Sequence, residues 1–378
     1  MKKIVLAPDS FKGTMSALEV CQIQQAAIRS MLPDCQIEML PMADGGEGMT
    51  SAYLTLFGGE EVHLTVTGPH GRPQAAYYGI LPDGRAVMEM AIAAGLPAMG
   101  DQKNPLTATT FGVGEMLLHA AHHGVKRVLL GLGGSATNDC GIGMASALGY
   151  RFLDNTDAEV QPQACNLGRV ERIIKPDHLP NLDIQAACDV DNPLCGPRGA
   201  TYVFGPQKGA DSAMLELLEA GMCHFAEILR QEFDADFASQ PGAGAAGGLG
   251  AAVEAFLGGS RKPGIEMLLD AAHFDNMIAD ADLVLTGEGR IDQQSIYGKV
   301  PFGVGNRCKK AGVPCVALCG SIGTGAEAIY NYGITSIFSA VTGPTSFEKI
   351  QQTCRDDMNR LTESVLRLII VSADQRNR

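Results

Sequence analysis

The chain has 378 residues, 46% of them hydrophobic, and carries a formal net charge of −13 at pH 7. This length favours two domains, because single cores stop growing near ~250–300 residues. The acidic balance argues against nucleic acid as a partner, since that requires a basic face. Apolar runs are shorter than the ~20 residues of a membrane helix, and the N-terminal run is too short for a secretory signal. Eleven cysteines without C-x-x-C spacing predict a reduced, cytoplasmic protein.

Apolar runs and helical patterns alternate over the first 60 residues. The predicted elements are strands at 3–7 and 37–40 and helices at 16–31 and 49–57. Ser16 and Glu19 have the spacing of a capping box at the start of the first helix. This alternation predicts a parallel sheet with crossover helices.

The same alternation returns at the C-terminal end of the chain. The predicted strands lie at 282–285, 313–319 and 337–340, and the predicted helices at 303–310, 326–332 and 346–371. Two strands at the start and three at the end predict a five-stranded, doubly wound parallel sheet. The outer domain is therefore expected to comprise residues 1–60 and 279–378.

The central region, residues 61–278, has a different pattern and is predicted to be an inserted α/β domain. It contains predicted antiparallel strands at 62–66, 75–80 and 86–90, further strands at 127–130 and 184–188, and helices at 112–123 and 214–231. Insertion at a surface loop is tolerated because domain termini often lie close together. Ligand sites commonly form between domains, so the catalytic cleft is expected there.

Two acidic, glycine-rich turns follow apolar strands at opposite ends of the chain, at 43–48 (ADGGEG) and 286–292 (TGEGRID). Glycine permits close approach of backbone to a ligand. The carboxylates of these turns are suited to a metal ion or to substrate hydroxyls; they are Asp44, Glu47, Glu288 and Asp292. The repeated construction predicts one site assembled from both ends of the chain, and therefore an enzyme.

A glycine-rich segment at 131–143 (GLGGSATNDCGIG) follows a predicted strand and precedes a helix. Backbone N–H groups at such a helix N-terminus bind anions, and Ser135 and Asn138 add side-chain donors. The alternative is a tight turn in which Asn138 or Asp139 caps the helix. Phosphate binding is the favoured interpretation.

A second glycine run at 241–250 contains a literal G-x-G-x-x-G at Gly242, Gly244 and Gly247. A dinucleotide-binding fold requires a strand leading into this motif, and residues 233–240 form a poor strand. Contact with a nucleotide or another anion and close helix packing both remain open for this segment.

Polar residues at other predicted strand ends complete the candidate site. Asp189 follows a predicted strand, and it either positions a substrate hydroxyl, binds Mg²⁺ or stabilises its turn. Asp191, two residues on, is a weaker candidate. The candidate cations for anionic ligands are Lys12, Lys208, Arg290 and Lys299. Lys12 and Arg290 are favoured over solvated surface residues, because doubly wound sheets bind ligands at strand carboxyl ends.

Several segments, in order along the chain, resemble the bacterial type I glycerate kinase family. They are APDSFKG (7–13), PMADGGEG (41–48), GLGGSATNDCGIG (131–143), ACDVDNP (187–193), FGPQKGA (204–210), PGAGAAGGLGA (241–251), and TGEGRID with SIYGKVP (286–301). The resemblance implies a flavodoxin-like domain interrupted by a second α/β domain. It also implies phosphorylation of D-glycerate by ATP with Mg²⁺, mainly to 2-phosphoglycerate, by a monomer or homodimer. The chain departs from the family at Gly13-Thr14 and at Asp191, and the extra carboxylate leaves the metal assignment near Asp189 open.

The resemblance assigns expected roles to the candidate residues. Asp189 and Lys12 are expected to be catalytic, and Asp189 and Glu288 to bind the metal. The expected substrate-binding residues are Asp9, Ser10, Asp44, Glu47, Glu288, Arg290 and Asp292. The expected ATP-binding residues are Gly133, Gly134, Ser135, Asn138, Lys208, Gly242, Gly244 and Gly247. A nucleotide-dependent dehydrogenase and a non-catalytic sensing module are the alternative functions.

Overall fold

The computed structural model describes residues 1–42, 48–296 and 298–376. The strands are β1 (Lys3–Pro8), β2 (Gln36–Met39), β3 (Glu60–Thr67), β4 (Pro73–Ile80), β5 (Arg85–Glu89), β6 (Arg127–Gly131), β7 (Arg151–Leu153), β8 (Arg172–Ile174), β9 (Asp183–Ala187), β10 (Ser260–Lys262), β11 (Leu283–Gly287), β12 (Arg290–Ile291), β13 (Cys315–Cys319), β14 (Ser321–Ile322) and β15 (Ser336–Ser339). The α-helices are α1 (Ala17–Met31), α2 (Met49–Phe57), α3 (Met90–Ala94), α4 (Phe111–His122), α5 (Ile142–Ala147), α6 (Ala200–Phe204), α7 (Ser212–Phe233), α8 (Ala245–Leu257), α9 (Gly264–Ala271), α10 (Phe274–Ile278), α11 (Val300–Ala311) and α12 (Phe347–Arg376). Short 3₁₀ helices lie at Leu96–Met99, Ala164–Arg169, Pro206–Lys208, Gln293–Ile296 and Ala326–Tyr332.

The chain divides into two compact units. The first, here called the outer unit, comprises Met1–Asp44 and Ile265–Arg378, and the second, the inserted unit, comprises Gly45–Gly264. These divisions differ from the boundaries expected at 60/61 and 278/279. The first boundary differs because α2 packs on β4 and β5 of the inserted unit, whereas its sequence pattern continues the β-α alternation of the outer one. The second differs because α9 and α10 belong to the outer unit, where α10 packs against α11.

The outer unit contains the predicted five-stranded parallel sheet, in the order β15-β13-β11-β1-β2. Numbered within the unit this order is the flavodoxin-like 2-1-3-4-5. Alternate side chains of β1 leave opposite faces of the sheet, and both Ile4 and Val5 are fully buried. Ile4 belongs to a core that includes residues of α1 and α12, while α11 also packs against β1, β11 and β13. The parallel, doubly wound α/β fold is confirmed.

The predicted capping box begins α1. The Ser16 hydroxyl accepts a hydrogen bond from the Glu19 N–H at 3.2 Å, and the Glu19 carboxylate accepts from the Ser16 N–H at 2.8 Å. Two N–H groups that lack partners at a helix start are thereby satisfied. The hydrogen bond from the Ser16 N–H and the ion pair with Arg355 both lower the pKa of the Glu19 carboxyl, to about 2.

The inserted unit contains a six-stranded sheet in the order β10-β9-β6-β5-β4-β3. The pairs from β10 to β5 are parallel, and β4 pairs antiparallel with β5 and β3. Its core includes the rings of Phe152, Phe225 and Phe256, with Phe152 edge-on to the other two. Burial of each such side chain stabilises the unit by roughly 1.5–3 kcal/mol. In the described ranges, no helix has the length and apolar character to cross a membrane.

Candidate active site

The glycine-rich segment 131–143 leaves the carboxyl end of β6 and is held in place by Asp139. Asp139 is fully buried, and its carboxylate accepts hydrogen bonds from the Thr110 N–H and hydroxyl, both at 2.8 Å, and from the Gly141 N–H at 3.1 Å. Burial raises the pKa of Asp139, and these bonds oppose the shift. Asp139 thereby holds the turn at Cys140 and Gly141, where the chain passes through positive φ, and joins it to Thr110.

Lys208 extends into the same loop from the 3₁₀ helix at Pro206–Lys208. Its ammonium donates to the Ser135 hydroxyl at 2.8 Å and to the Thr137 carbonyl oxygen at 2.7 Å, and the residue is 2% exposed. Burial lowers the pKa of Lys208 to about 7, while the Asp139 carboxylate acts in the opposite direction. Lys208 is therefore a buried part of the glycine loop, whereas its sequence context did not distinguish it from a surface lysine.

A pocket of about 290 Å³ brings five of the predicted residues together in the inserted unit. Those five are Gly133, Gly134, Ser135, Asp189 and Lys208. The pocket lies where β6 and β9, which are parallel neighbours, reach their carboxyl ends. Loops at this edge of a parallel sheet are where α/β folds bind ligands. Anion donors, a buried lysine and a carboxylate are thus presented to one cavity.

Asp189 and Asp191 have different surroundings although they are two residues apart. Asp189 lines the pocket, and its Oδ1 accepts a hydrogen bond from the Gly264 N–H at 2.9 Å. The Asp191 carboxylate forms an ion pair with Arg198 at 3.2 Å, with both side chains more than two-thirds exposed. Of the two carboxylates, Asp189 alone is part of the pocket lining.

Asn138 and the glycines of the second glycine run pack against the segments that form the pocket. Asn138 is fully buried and donates from Nδ2 to the Thr201 hydroxyl at 3.1 Å. A Cβ at Gly247 would lie 2.0 Å from the Thr137 carbonyl oxygen, and one at Gly244 would lie 2.3 Å from the Pro193 carbonyl oxygen. These glycines therefore allow the segment to press against both pocket loops.

The G-x-G-x-x-G segment packs closely against neighbouring loops, and it lacks the preceding strand of a dinucleotide-binding fold. A Cβ at Gly242 would likewise lie 2.7 Å from Cys188 Sγ. The residues of this segment that line the pocket are Ala245 and Ala246. The element before it is α7, which ends at Phe233, and no strand leads into the motif in this described part of the chain. Phosphate contact by these three glycines stays a prediction.

In the outer unit, Glu288 follows β11 and is 7% exposed. Its Oε1 accepts from the Ser295 hydroxyl at 2.7 Å, and its Oε2 pairs with the Lys299 ammonium at 3.1 Å. Burial raises the pKa of Glu288, although both partners favour the charged form. The contact of Ser295 with Glu288 was not predicted, because Ser295 entered the sequence analysis only as the first residue of the SIYGKVP segment.

Arg290 and Asp292 lie farther along the same loop and pair with each other. Arg290 Nε donates to Asp292 Oδ2 at 3.1 Å, and the Arg290 side chain is 66% exposed. Asp292 Oδ1 also accepts from the Gln294 N–H at 3.0 Å. The guanidinium is thus accessible to an anionic ligand, while Asp292 fixes the turn that carries it.

The loop after β1 lies beside the loop after β11. The Asp9 N–H donates to the Gly287 carbonyl oxygen at 2.8 Å, and the buried Asp9 carboxylate accepts from the Ser10 N–H at 2.6 Å. Lys12, which is exposed, and Gly289 line the same cavity of about 180 Å³. The outer unit therefore brings together Asp9, Ser10, Lys12 and the 288–292 loop. Asp44 and Glu47 lie outside the described residues.

The family model described as the glycerate kinase family matches residues 4–370. The chain belongs to the glycerate kinase family. Glycerate kinase of Bacillus subtilis (strain 168) is 43% identical over 368 residues, which cover 96% of each chain. Glycerate 2-kinase of Escherichia coli (strain K12) is 41% identical over 368 residues, covering 96% of this chain and 97% of that one.

A solved structure extends the comparison to the fold of this glycerate kinase family member. The putative glycerate kinase 2 from Salmonella typhimurium LT2 has a TM-score of 0.85 and 38% identity, and the match covers 99% of each chain. The resemblance inferred from the motif segments and the expectation of a kinase are confirmed at the level of the family. The roles of individual residues stay predictions.

Proposed function

We propose that the protein transfers the γ-phosphoryl group of ATP to the 2-hydroxyl of D-glycerate, giving 2-phosphoglycerate and ADP. The observation that carries the proposal is the pocket that gathers Gly133, Gly134, Ser135, Asp189 and Lys208 in a chain of the glycerate kinase family. The choice of the 2-hydroxyl is supported by the relative named glycerate 2-kinase. The eleven free thiols suit a reducing compartment, and we place the reaction in the cytoplasm.

The phosphate groups of ATP would bind to the 133–135 backbone and to Lys208. Phosphoryl transfer needs positioning and charge stabilisation more than covalent help from the protein. The Lys208 amine is already directed by Ser135 and Thr137, so as an ammonium it supplies positive charge without a large entropy loss on binding. The pKa near 7 would rise when anionic phosphates arrive, since an opposite charge favours the ammonium form.

The pocket offers ligands that suit Mg²⁺, the cation that kinases generally use with ATP. Mg²⁺ prefers hard oxygen donors and is often held by one or two carboxylates together with phosphates. Asp189 places such a carboxylate on the pocket wall. Glu288, whose oxygens accept from Ser295 and Lys299, is the second carboxylate that we propose as a candidate ligand. When bound, the ion would neutralise charge on the phosphates.

Glycerate would bind to the loops of the outer unit, with cations for its carboxylate and acceptors for its hydroxyls. Arg290 and Lys12 are exposed cations in the segments that follow β11 and β1, suited to the carboxylate. The proposed hydroxyl acceptors and neighbouring contacts are Asp9, Ser10, Asp44, Glu47, Glu288 and Asp292. Asp189 would orient the attacking hydroxyl and accept its proton, as a general base does.

Steady-state kinetics of Asp189→Asn test the assignment of the base, with Asp191→Asn as the matched control. ADP release in the presence of D-glycerate would be followed for the full chain. We expect kcat of Asp189→Asn to fall by roughly 10²–10⁴-fold. The control should stay within about twofold, because an exposed ion pair contributes little. A near-normal kcat for a folded Asp189→Asn protein would overturn the assignment.

The dehydrogenase alternative is tested in the same preparation. A nucleotide-dependent dehydrogenase would change the absorbance of a nicotinamide cofactor when D-glycerate is added. We expect ADP release without any such change. Cofactor reduction in the absence of ATP would contradict the proposed kinase activity.

A further inference from the structure

Cys195, Glu219 and Cys223 form a cluster in the inserted unit that the proposed phosphoryl transfer does not use. One potential ligand atom from each residue lies within 4.8 Å of the others. Glu219 and Cys223 are four residues apart on α7, a spacing that places them on one face of the helix. Cys195 approaches this face from the segment between Asp189 and α6. Two sulfur atoms and a carboxylate are ligands typical of zinc.

The Glu219 carboxylate provides a second observation that points to a bound cation. Glu219 is 8% exposed, and its Oε1 accepts from the Gly196 N–H and from the Cys223 thiol. Its Oε2 is buried without a hydrogen-bond partner within the described part of the chain. A buried carboxylate oxygen without a partner is unfavourable unless a cation or a hydrogen-bond donor compensates it.

The dimensions of the cluster suit a tetrahedral ion. With Zn–S of about 2.3 Å and Zn–O of about 2.0 Å, tetrahedral angles separate sulfur from oxygen by about 3.5 Å. The Cys223 thiol already lies at this separation from the Glu219 carboxylate, since Sγ donates to Oε1 at 3.5 Å, and the unpartnered Oε2 belongs to the same carboxylate. Cys223 is exposed and Cys195 half-buried, so an ion can reach the cluster from solvent, and water can complete its coordination.

We propose that Cys195, Glu219 and Cys223 bind one Zn²⁺ ion and thereby fix the 194–199 segment to α7. The consequence reaches the pocket through the chain that follows Cys195. The Ala200 N–H donates to the Leu194 carbonyl oxygen at 3.0 Å, and the adjacent Thr201 hydroxyl accepts from Asn138 at 3.1 Å. Zinc would therefore order the segment that supports the glycine loop. The proposal does not depend on the identity of the phosphoryl acceptor.

Zinc binding to the full chain is measured by competition with a chromophoric chelator, after metal removal and under a non-chelating reductant. We expect one Zn²⁺ per chain. Cys223→Ser and Glu219→Gln should each weaken zinc binding by more than about 100-fold, which exceeds the loss usually caused by changing a residue that only supports the ligands. Cys165→Ser is the matched control, because it removes a half-buried thiol of the same unit that lies outside the cluster.

Two further measurements distinguish specific coordination by this cluster from non-specific binding of zinc to thiols. Cobalt bound in place of zinc should give sulfur-to-metal charge-transfer absorption that is lost in Cys223→Ser and kept in Cys165→Ser. Zinc should also slow hydrogen exchange in peptides covering residues 194–205. Circular dichroism of the metal-free variants establishes that they are folded. Equal zinc affinity of the wild type and a folded Cys223→Ser protein would overturn the proposal, as would cobalt binding without charge-transfer absorption.

Discussion

Replacing Asp139 by alanine should destabilise the inserted unit more than any exposed substitution near the pocket. The carboxylate holds the Thr110 N–H, the Thr110 hydroxyl and the Gly141 N–H. After the substitution the two backbone donors remain buried without an acceptor. The Thr110 hydroxyl oxygen keeps the hydrogen bond that it accepts from the Met144 N–H.

The magnitude follows from the two backbone donors that lose their acceptor. Each buried donor left without a partner costs about 1–3 kcal/mol, so Asp139→Ala should lower the free energy of unfolding by about 2–6 kcal/mol. Relief from burying a carboxylate offsets part of this cost. In Asp139→Asn the side-chain carbonyl still accepts a hydrogen bond, but the NH₂ group faces a backbone donor. This substitution should lower the free energy of unfolding by about 1–3 kcal/mol. For comparison, the total free energy of unfolding of a typical domain is only about 5–15 kcal/mol.

Urea unfolding and local hydrogen exchange measure the effect. Exchange should accelerate in peptides covering residues 109–113 and 139–144 before global unfolding, because the lost bonds join these segments. Asp191→Ala is the control and should change stability by less than about 0.5 kcal/mol, since its carboxylate pairs only at the surface. An Asp139→Ala protein as stable as this control would refute the view that Asp139 holds the glycine loop.

Lys208 has a folded pKa of about 7 against 10.5 for the ordinary group, so between these values the unfolded chain binds more protons. The stability of the wild type relative to Lys208→Met should therefore rise with pH from about 7 to 10.5, as urea midpoints would show; a constant difference would contradict the low pKa. Gly247→Ala should cost more than Gly258→Ala in thermal unfolding. Both have positive φ, but only the Cβ at 247 meets backbone, the Thr137 carbonyl oxygen, whereas the one at 258 meets nothing within 4 Å. The strain of φ alone is worth about 1–2 kcal/mol, and equal losses would argue against close packing at 247.

The framework of both units follows from local sequence signals. Parallel strands buried on both faces are continuous apolar runs, which is why residues 3–7 and 313–319 were recognisable. The capping box at Ser16 and Glu19 is a purely local pattern, and it forms as predicted. By contrast, no local signal tells which sheet α2 covers, because its own periodicity is the same against either one.

The candidate site was only partly accessible to sequence reasoning. Residues at strand ends, such as Asp189 and Glu288, were found because the carboxyl edge of a parallel sheet is a known ligand position. The structural role of Asp139 depends on Thr110, which lies 29 residues away along the chain, and spacing does not reveal it. The sequence singles out Asp139 only as the one acidic residue of segment 131–143. Lys208 likewise differs from a surface lysine only through tertiary burial.

Phosphorus NMR of the reaction product tests the central claim most directly. The purified chain would be incubated with ATP, Mg²⁺ and D-glycerate, and the new phosphate monoester examined with proton coupling retained. Transfer to the 2-hydroxyl predicts a doublet, because that phosphate is coupled to one methine proton. A triplet, from coupling to the two methylene protons, would show transfer to the 3-hydroxyl, and the absence of any new monoester would contradict the proposed kinase activity itself.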